Sequence, residues 1–458
     1  MRLNNYHQLQ KFKFPWYCFC TRKEQWAAPN TVCVLEGPKG SGKTQLTLEF
    51  MKQHAGSIYF SFAGLSGDMA IRFFCDKLNL RTDMEHCNDW GTAFAKLAGV
   101  IANGRIVVVF DHVDTFSGRD DFLAALSSFI NHPDSPRAFI VLPMGDSTCL
   151  RGKGITAYAI HSTYRTIANI KKSFPTLSNK DVLRLYAVSG GIPSLLGEYN
   201  TNLSFEENLK SWLSYDSVFY RFLPELMKEH FRAPETYNAL MYSIATAHHR
   251  ISEIAKDVGF PYNKCDKYIG ALQAIGLVKS KQQGGSKRSL YYLANSYLSF
   301  WYRYLYPHLD RITPTVDNAL FDRILSELDS NFTIPCYHQG CRRWLKHHAS
   351  LYPSSMVDLL QREQDEPLMV NLEQGETVTF EVSLYAHGHM LLAKLPGSLH
   401  ERYDKALFLK TIKAAEQANL FYNNTVIIFS PHRFSDYCVH EVSKLPNVKL
   451  ITIERLKY

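Results

Sequence analysis

Hydrophobic and polar positions set two rhythms over the first two hundred residues. Short unbroken apolar runs at Val32–Leu35, Ser57–Phe62, Ile106–Phe110 and Ala138–Leu142 read as buried strands. Between them, apolar residues recur at helical spacing in Gln45–Lys52, Met69–Leu78, Trp90–Ile101 and Phe122–Ile130. Strand and helix in alternation predict a mostly parallel sheet covered on both faces. Ligands of such folds bind beyond the carboxyl ends of the strands.

After residue 200 the pattern changes. Glu206–Glu229 reads as a helical stretch whose aromatic stripe (Trp212, Phe219, Phe222) packs between domains. Pro234 then opens a helix through Ala245, Ile251–Val258 forms a second, Gly259-Phe260 makes the turn, and Tyr262–Ile275 is the third, closed by Gly276. Leu277-Val278, the Gly284-Gly285 turn and Leu290–Leu293 complete a winged helix-turn-helix. The aromatic run Leu298–Tyr304 reads as a hinge helix. Farther on, strands are expected at Thr377–Leu384, His389–Leu395, Thr425–Phe429 and Val448–Ile453, with a helix at Ala406–Ala418. The expected organisation is an arm (1–30), an α/β domain with a parallel sheet (31–200), a helical connector (201–232), the winged helix with its hinge (233–308) and a second α/β domain (309–458).

Chemistry enters with Gly37-Pro38-Lys39-Gly40-Ser41-Gly42-Lys43-Thr44, which joins the first strand to the first helix, beginning at Gln45. Gly-x4-Gly-Lys-Thr in that setting is a phosphate-binding P-loop. The three glycines lack Cβ, so backbone N–H groups can curl around an anion, and the new helix aims its positive end there. Lys43 is expected to reach the β- and γ-phosphates and Thr44 to hold Mg2+. A second element, Val107-Val108-Val109-Phe110-Asp111, is a buried strand ending in a carboxylate placed to bind Mg2+ through water. Lys43 and Asp111 are thus the candidate catalytic residues. The residue after Asp111 is His112, where P-loop ATPases often carry a water-activating glutamate. Such a base is worth about 10²–10⁴-fold in rate, so binding is expected to persist and turnover to be slow. Asp114 is a candidate substitute. In Pro143-Met144-Gly145-Asp146-Ser147, either Asp146 or Ser147 senses the γ-phosphate or shapes a turn.

These residues, with Tyr186-Ala187-Val188-Ser189-Gly190-Gly191-Ile192-Pro193, resemble the archaeal-type ATPase family of the STAND and AAA-like P-loop ATPases. The resemblance extends along the chain, including the arm at Phe19–Arg22. It implies ATP as ligand, an adenine contact from Pro193, a sensor at Gly145–Ser147, and a winged helix followed by a restriction-endonuclease-like domain. The chain departs from the family at His112, where glutamate is usual. It departs again at Ala157-Tyr158-Ala159-Ile160, where a Tyr-Gly-Arg is usual and no arginine comes before Arg165. In the last domain, an active nuclease needs an Asp on one strand and Glu-x-Lys on the next to hold Mg2+. Ser383 and Leu392 stand at the carboxylate positions, leaving Lys394; Glu381 restores a ligand only if the register shifts by two. A degenerate domain without nuclease activity is expected.

Composition adds limits. The 458 residues are long enough for about three domains, and 46% hydrophobic with 21% charged content is ordinary for globular protein. A net charge of +8 permits a nucleic-acid partner without demanding one. Lys264 and Lys267 on the third winged-domain helix, and Lys279, Lys281, Lys287 and Arg288 on the 279–288 hairpin, are candidates for contacting double-stranded DNA; a protein partner is the alternative. Ten irregularly spaced cysteines and no secretory signal suggest reduced thiols and a cytoplasmic setting. No apolar stretch approaches the roughly 18 residues of a membrane span. Cys336, His338, Cys341, His347 and His348 form a crowded segment that reads as a packed helix rather than a zinc site; Cys18 and Cys20 are too sparse for one. The favoured reading is an ATP-dependent switch with weak or absent hydrolysis. The alternatives are an active ATP hydrolase and a DNA-binding effector of defence or genome maintenance.

Overall fold

The computed structural model describes residues 31–79, 87–101, 106–282, 289–362, 365–418 and 423–457. The expected arm with Phe19–Arg22, Cys18 and Cys20 lies outside these residues, as do Gly284, Gly285, Lys287 and Arg288 of the hairpin. The chain divides between Tyr164 and Arg165 into two compact units.

In the first unit, strands β1 (Thr31–Glu36), β2 (Ile58–Ser61), β3 (Ile106–Asp111), β4 (Ala138–Met144) and β5 (Ala157–His161) form one sheet in the order β2-β3-β4-β1-β5. Every pairing is parallel. Helices α1 (Lys43–Lys52), α2 (Gly67–Asn79), α3 (Trp90–Ile101) and α4 (Arg119–Asn131) make the crossovers. The strands of such a sheet send alternate side chains to opposite faces. Cys33, Leu35, Val107, Val109, Phe139 and Val141 pack with Leu46 and Phe50 of α1. Val32, Val34, Val108, Phe110, Ile140 and Leu142 pack on the other face with α2, α3 and α4. Aromatic rings dominate that second layer: Phe62 and Phe122 meet edge-on at 4.8 Å between centroids, and Trp90 and Phe122 at 5.0 Å. Each buried ring removes on the order of 150–250 Å² from water, which makes this the main apolar reservoir of the unit.

Ala157–Ile160, where the resembled family usually has Tyr-Gly-Arg, is part of edge strand β5, paired with β1 from Val32↔Ala157 to Glu36↔His161. Its exposed-intermediate alternation lacks the apolar run that marks a buried strand. Cys75 and Cys87 are joined by a disulfide, so the expectation of wholly reduced cysteines fails for this pair.

The second unit opens with α5 (Ile167–Ser173), α6 (Asn179–Ser189) and the short α7 (Pro193–Leu196). The helical stretch expected at Glu206–Glu229 consists of two helices, α8 (Phe205–Trp212) and α9 (Val218–His230). The Ser217 hydroxyl accepts from the Tyr220 N–H and starts the second afresh. Three helices follow, α10 (Pro234–Ala245), α11 (Ile251–Val258) and α12 (Tyr262–Ala274), then antiparallel β6 (Val278–Gln282) and β7 (Ser289–Leu293). Gly259 ends α11 at φ +69°, a left-handed position that glycine takes without steric cost.

The hinge begins as α13 (Ser296–Phe300) and continues into a π-helical turn at Trp301–Leu305. Next come α14 (Asn318–Glu327), a second π-helical turn at Leu328–Thr333, α15 (Ile334–His347) and α16 (Ser354–Gln361). The last domain holds β8 (Glu366–Asn371), β9 (Thr377–Ala386), β10 (His389–Lys394), α17 (Lys405–Ala418), β11 (Asn423–Ser430), α18 (Asp436–Val442) and β12 (Val448–Thr452). Its mixed sheet runs β12-β11-β10-β9-β8. Strand β8 and helix α18 escaped the pattern reading because each is short and mostly solvent-facing. Among the described residues no helix is long and apolar enough to cross a membrane.

Candidate functional site

The P-loop is built at the carboxyl end of β1. Gly40 and Gly42 take φ +79° and +88°, which lets the chain curl back on itself before α1. Gly37 is glycine for a different reason: a Cβ there would collide with the Ser162 carbonyl oxygen. That approach is fixed from both sides. The Ser162 N–H donates to the Glu36 carbonyl at 2.7 Å, and its hydroxyl donates to the Ser41 carbonyl at 3.0 Å. The Gly37 N–H donates to the Met144 carbonyl at 3.2 Å, tying the loop stem to β4. Pro38 and Lys39 form the exposed tip, where Tyr164 donates its hydroxyl hydrogen to the Lys39 carbonyl at 3.1 Å. Gln45, in the first turn of α1, donates to Glu49 at 3.1 Å.

The Lys43 ammonium donates to the carbonyls of Gly37 at 2.6 Å and Pro38 at 3.0 Å. Burial pulls its pKa below the ordinary lysine value, and the carboxylates of Asp114 and Asp111 oppose that pull. Asp111 ends β3 on the face that packs against α1, because Val107 and Val109, two and four residues earlier, already point there. The consequence is direct: Thr44 Oγ1 donates to Asp111 Oδ2 at 2.8 Å. A hydroxyl and a carboxylate meeting at one point are the hard oxygen donors that Mg2+ takes, with phosphate and water completing its shell. The two residues therefore fit the ion that the loop motif implies.

Several neighbours were missed by sequence reasoning. Tyr59 donates to Asp111 Oδ2 at 2.9 Å, and burial, reinforced by that carboxylate, raises its pKa and keeps the phenol a donor. Glu36 Oε1 accepts from both the N–H and the hydroxyl of Ser147, at 3.0 and 3.1 Å. The alternation of β2 puts Tyr59 on the α1 face, a signal present in the sequence; the Glu36–Ser147 pairing is non-local and has none. His112 sits at φ +63°, and its Nδ1 lies 3.2 Å from Ser61 Oγ and 3.4 Å from Asp111 Oδ1. Asp146 accepts from the N–H and hydroxyl of Thr148 at 2.9 and 2.6 Å, capping a 3-10 turn. Those bonds hold its carboxyl below the usual range, which favours the turn-shaping alternative.

In the second unit, Pro193 opens α7 and is buried. Its assignment to adenine rests on the family resemblance. The Arg165 N–H donates to the Gly191 carbonyl at 2.7 Å, and burial lowers its guanidinium pKa to about 10. On α12, Lys264 and Lys267 are exposed, and the Lys264 ammonium lies 4.3 Å from the Phe260 ring centroid. Lys279 is exposed and Lys281 half-buried on β6.

In the last domain Leu392 pairs with Ser383 across β9 and β10, while Lys394 donates to Glu381 Oε1 at 2.9 Å. Glu381 Oε2 accepts the Leu395 N–H at 2.6 Å, and the Ser383 hydroxyl donates to the Glu366 carbonyl at 2.9 Å. The carboxylate beside Lys394 is thus Glu381, already neutralised. The Cys-His segment lies on α15: Cys336 and Cys341 are buried, His338 bonds the Pro396 carbonyl at 2.8 Å, and His348 stacks on Trp344 at 3.9 Å.

No family model matches the chain. An uncharacterized protein of Methanocaldococcus jannaschii is 21% identical over 306 residues, covering 63% of this chain. The aligned segment spans 66% of that protein, just under two thirds of its length. Among solved structures, a chain of Drosophila ORC bound to DNA is 11% identical with a TM-score of 0.31, covering 67% of this chain and 98% of that one. A Thermotoga maritima RuvB mutant is 12% identical with a TM-score of 0.30, covering 63% of this chain and 92% of that one. Both superpositions are loose. The parallel sheet in the order β2-β3-β4-β1-β5, with a glycine loop between β1 and α1 and an aspartate ending β3, makes the first unit a P-loop NTPase-like fold.

Proposed function

We propose that this chain is a nucleotide-dependent switch of AAA/STAND-like type that binds Mg-ATP at residues 37–45 and hydrolyses it slowly. The contact between Thr44 Oγ1 and Asp111 Oδ2 at 2.8 Å carries the reading. It brings together two elements 67 residues apart that have chemistry in common only around a nucleotide-bound cation. When bound, Mg2+ would neutralise phosphate charge; Lys43 and the loop N–H groups would orient the phosphates. His112 in place of a glutamate supports slow turnover. Mg-ATP at 100 times its dissociation constant should stabilise the protein by about 2.7 kcal/mol in a thermal scan. Chelating the magnesium should remove most of that gain, and a scan that ignores Mg-ATP would sink the proposal.

The exposed Lys264 and Lys267 support a DNA contact by the winged domain, with α12 as the helix entering the groove. Each phosphate neutralised steepens the salt dependence of binding by about 0.9. Replacing both lysines by alanine should lower the slope of log K against log salt by about 2 on duplex DNA. An unchanged slope would move this surface to the protein-partner alternative. The last domain is assigned a binding or structural role, since the ammonium of Lys394 is held by Glu381 with Leu392 where a second carboxylate would be needed.

A further inference from the structure

We infer that Asp114, rather than His112, is the carboxylate side of the hydrolytic reaction: it orients the water that attacks the γ-phosphate and takes its proton. This rests on the reading of residues 37–45 as an ATP site. The order of strands separates the two candidates. P-loop and β3 are separated by β4, and β2 is the far edge of the sheet beyond β3. The His112 ring nitrogen lies between Ser61 Oγ on β2, at 3.2 Å, and Asp111 Oδ1, at 3.4 Å, on the side of β3 away from β4. Its left-handed backbone, φ +63°, is what swings the ring that way.

Asp114 turns the other way. Its Oδ2 accepts the N–H of Gly145, the first residue after β4, at 2.5 Å. One residue earlier, Met144 accepts the N–H of Gly37 from the loop stem. The Asp114 carboxylate therefore stands at the mouth between β3 and the phosphate loop. Its charge acts on the Lys43 ammonium more strongly than that of Asp111 does. The segment carrying it is held in place, because Arg119 donates to the Asp114 backbone carbonyl at 2.6 Å. Oδ1 has no hydrogen-bond partner among the described residues, which leaves one oxygen to accept from water while the other keeps the side chain oriented.

The step balances without a further reagent. The water oxygen forms a bond to the γ-phosphorus while the bond from phosphorus to the β–γ bridging oxygen breaks. The electron pair of that bond leaves with ADP, and the water proton passes to Asp114 and then to the released phosphate. A shorter carboxylate reaching in from three residues farther along is a less favourable base than a glutamate beside Asp111, which accords with slow turnover.

Asp114→Asn separates this role from a structural one, since the amide oxygen still accepts the Gly145 N–H. Single-turnover hydrolysis of γ-labelled ATP should be measured on the full chain at saturating Mg-ATP, with Lys43→Ala as the background. We expect Asp114→Asn to lose about 10²-fold or more in rate, with its Mg-ATP thermal shift preserved. Asp114→Glu should recover part of the rate, and the loss in Asp114→Asn should exceed that in His112→Ala at least tenfold. Equal losses in the two variants, a greater loss in His112→Ala, or wild-type turnover no higher than background overturns the inference. In each of those cases an intact thermal shift keeps the ATP site standing, whereas a wild-type protein blind to Mg-ATP removes both.

Discussion

Lys43→Ala should abolish the rise in unfolding temperature expected of the wild-type protein with Mg-ATP, with a smaller effect on the protein without nucleotide. The asymmetry follows from where the ammonium sits. Without ligand it makes two hydrogen bonds to loop carbonyls, at 2.6 and 3.0 Å, in a half-buried position. Losing such bonds costs on the order of 1 kcal/mol where the carbonyls left behind can turn to water. With ligand, the same ammonium would face the phosphates. At 100 times the dissociation constant the wild type gains about 2.7 kcal/mol, which for a unit of this size is a shift of roughly 5–10 °C. A variant that retained this shift would show that phosphate is not held here.

Arg184→Ala should destabilise the second unit by about 3 kcal/mol, at the lower end of the cost of breaking a buried ion pair. Arg184 on α6 is only 10% exposed at its side chain and forms a fork with Asp329, at 2.6 and 2.9 Å, with a third bond to Glu206 at 2.8 Å. Truncation leaves Asp329 with Lys180 alone, at 3.0 Å, and Glu206 without its partner. Burial works against the Asp329 carboxylate, yet the bonds from Arg184 and Lys180 outweigh it and hold its pKa below the ordinary value. A depressed pKa contributes stability that is complete above about pH 4, the unfolded aspartate value, and is lost as pH falls through the lower folded one. Urea unfolding at neutral pH should therefore show the full difference between variant and wild type, narrowing in acid. Arg184→Lys should recover only part of the loss, since an ammonium cannot reproduce the fork. A neutral-pH difference below about 1 kcal/mol would put the group among ordinary surface pairs.

What the sequence disclosed depended on whether the signal was local. Gly37 to Thr44 sit within one turn of chain, and Val107–Asp111 is a single apolar run with one charge at its end, so both sites and their strands could be read directly. The meeting of Thr44 with Asp111 followed from strand alternation. The partners that came from elsewhere could not be read: Ser162 against Gly37 and Ser147 against Glu36 each join segments with no shared periodicity, whereas Glu381 against Lys394 turned on the register of one hairpin. Strand β5 was hidden because an edge strand half in solvent lacks an unbroken apolar run. The boundary between α8 and α9 was marked by one capping serine, Ser217, inside an otherwise continuous aromatic stripe. Asp114 was visible as a candidate, but its direction was decided by the N–H of Gly145, 31 residues away.

The wide turn at Leu328–Thr333 sets a rule for how this protein can vary in length. Such turns arise where an extra residue is accommodated inside a helix, and loss of one residue would restore ordinary winding. Because a π-helical turn spreads one full rotation over an extra residue, that loss would leave Ile334–His347 facing the same way. Tyr337, Cys341 and Trp344 of α15 would keep their inward face. This turn is thus a point where the helix can lose one residue without re-aiming the side chains beyond it.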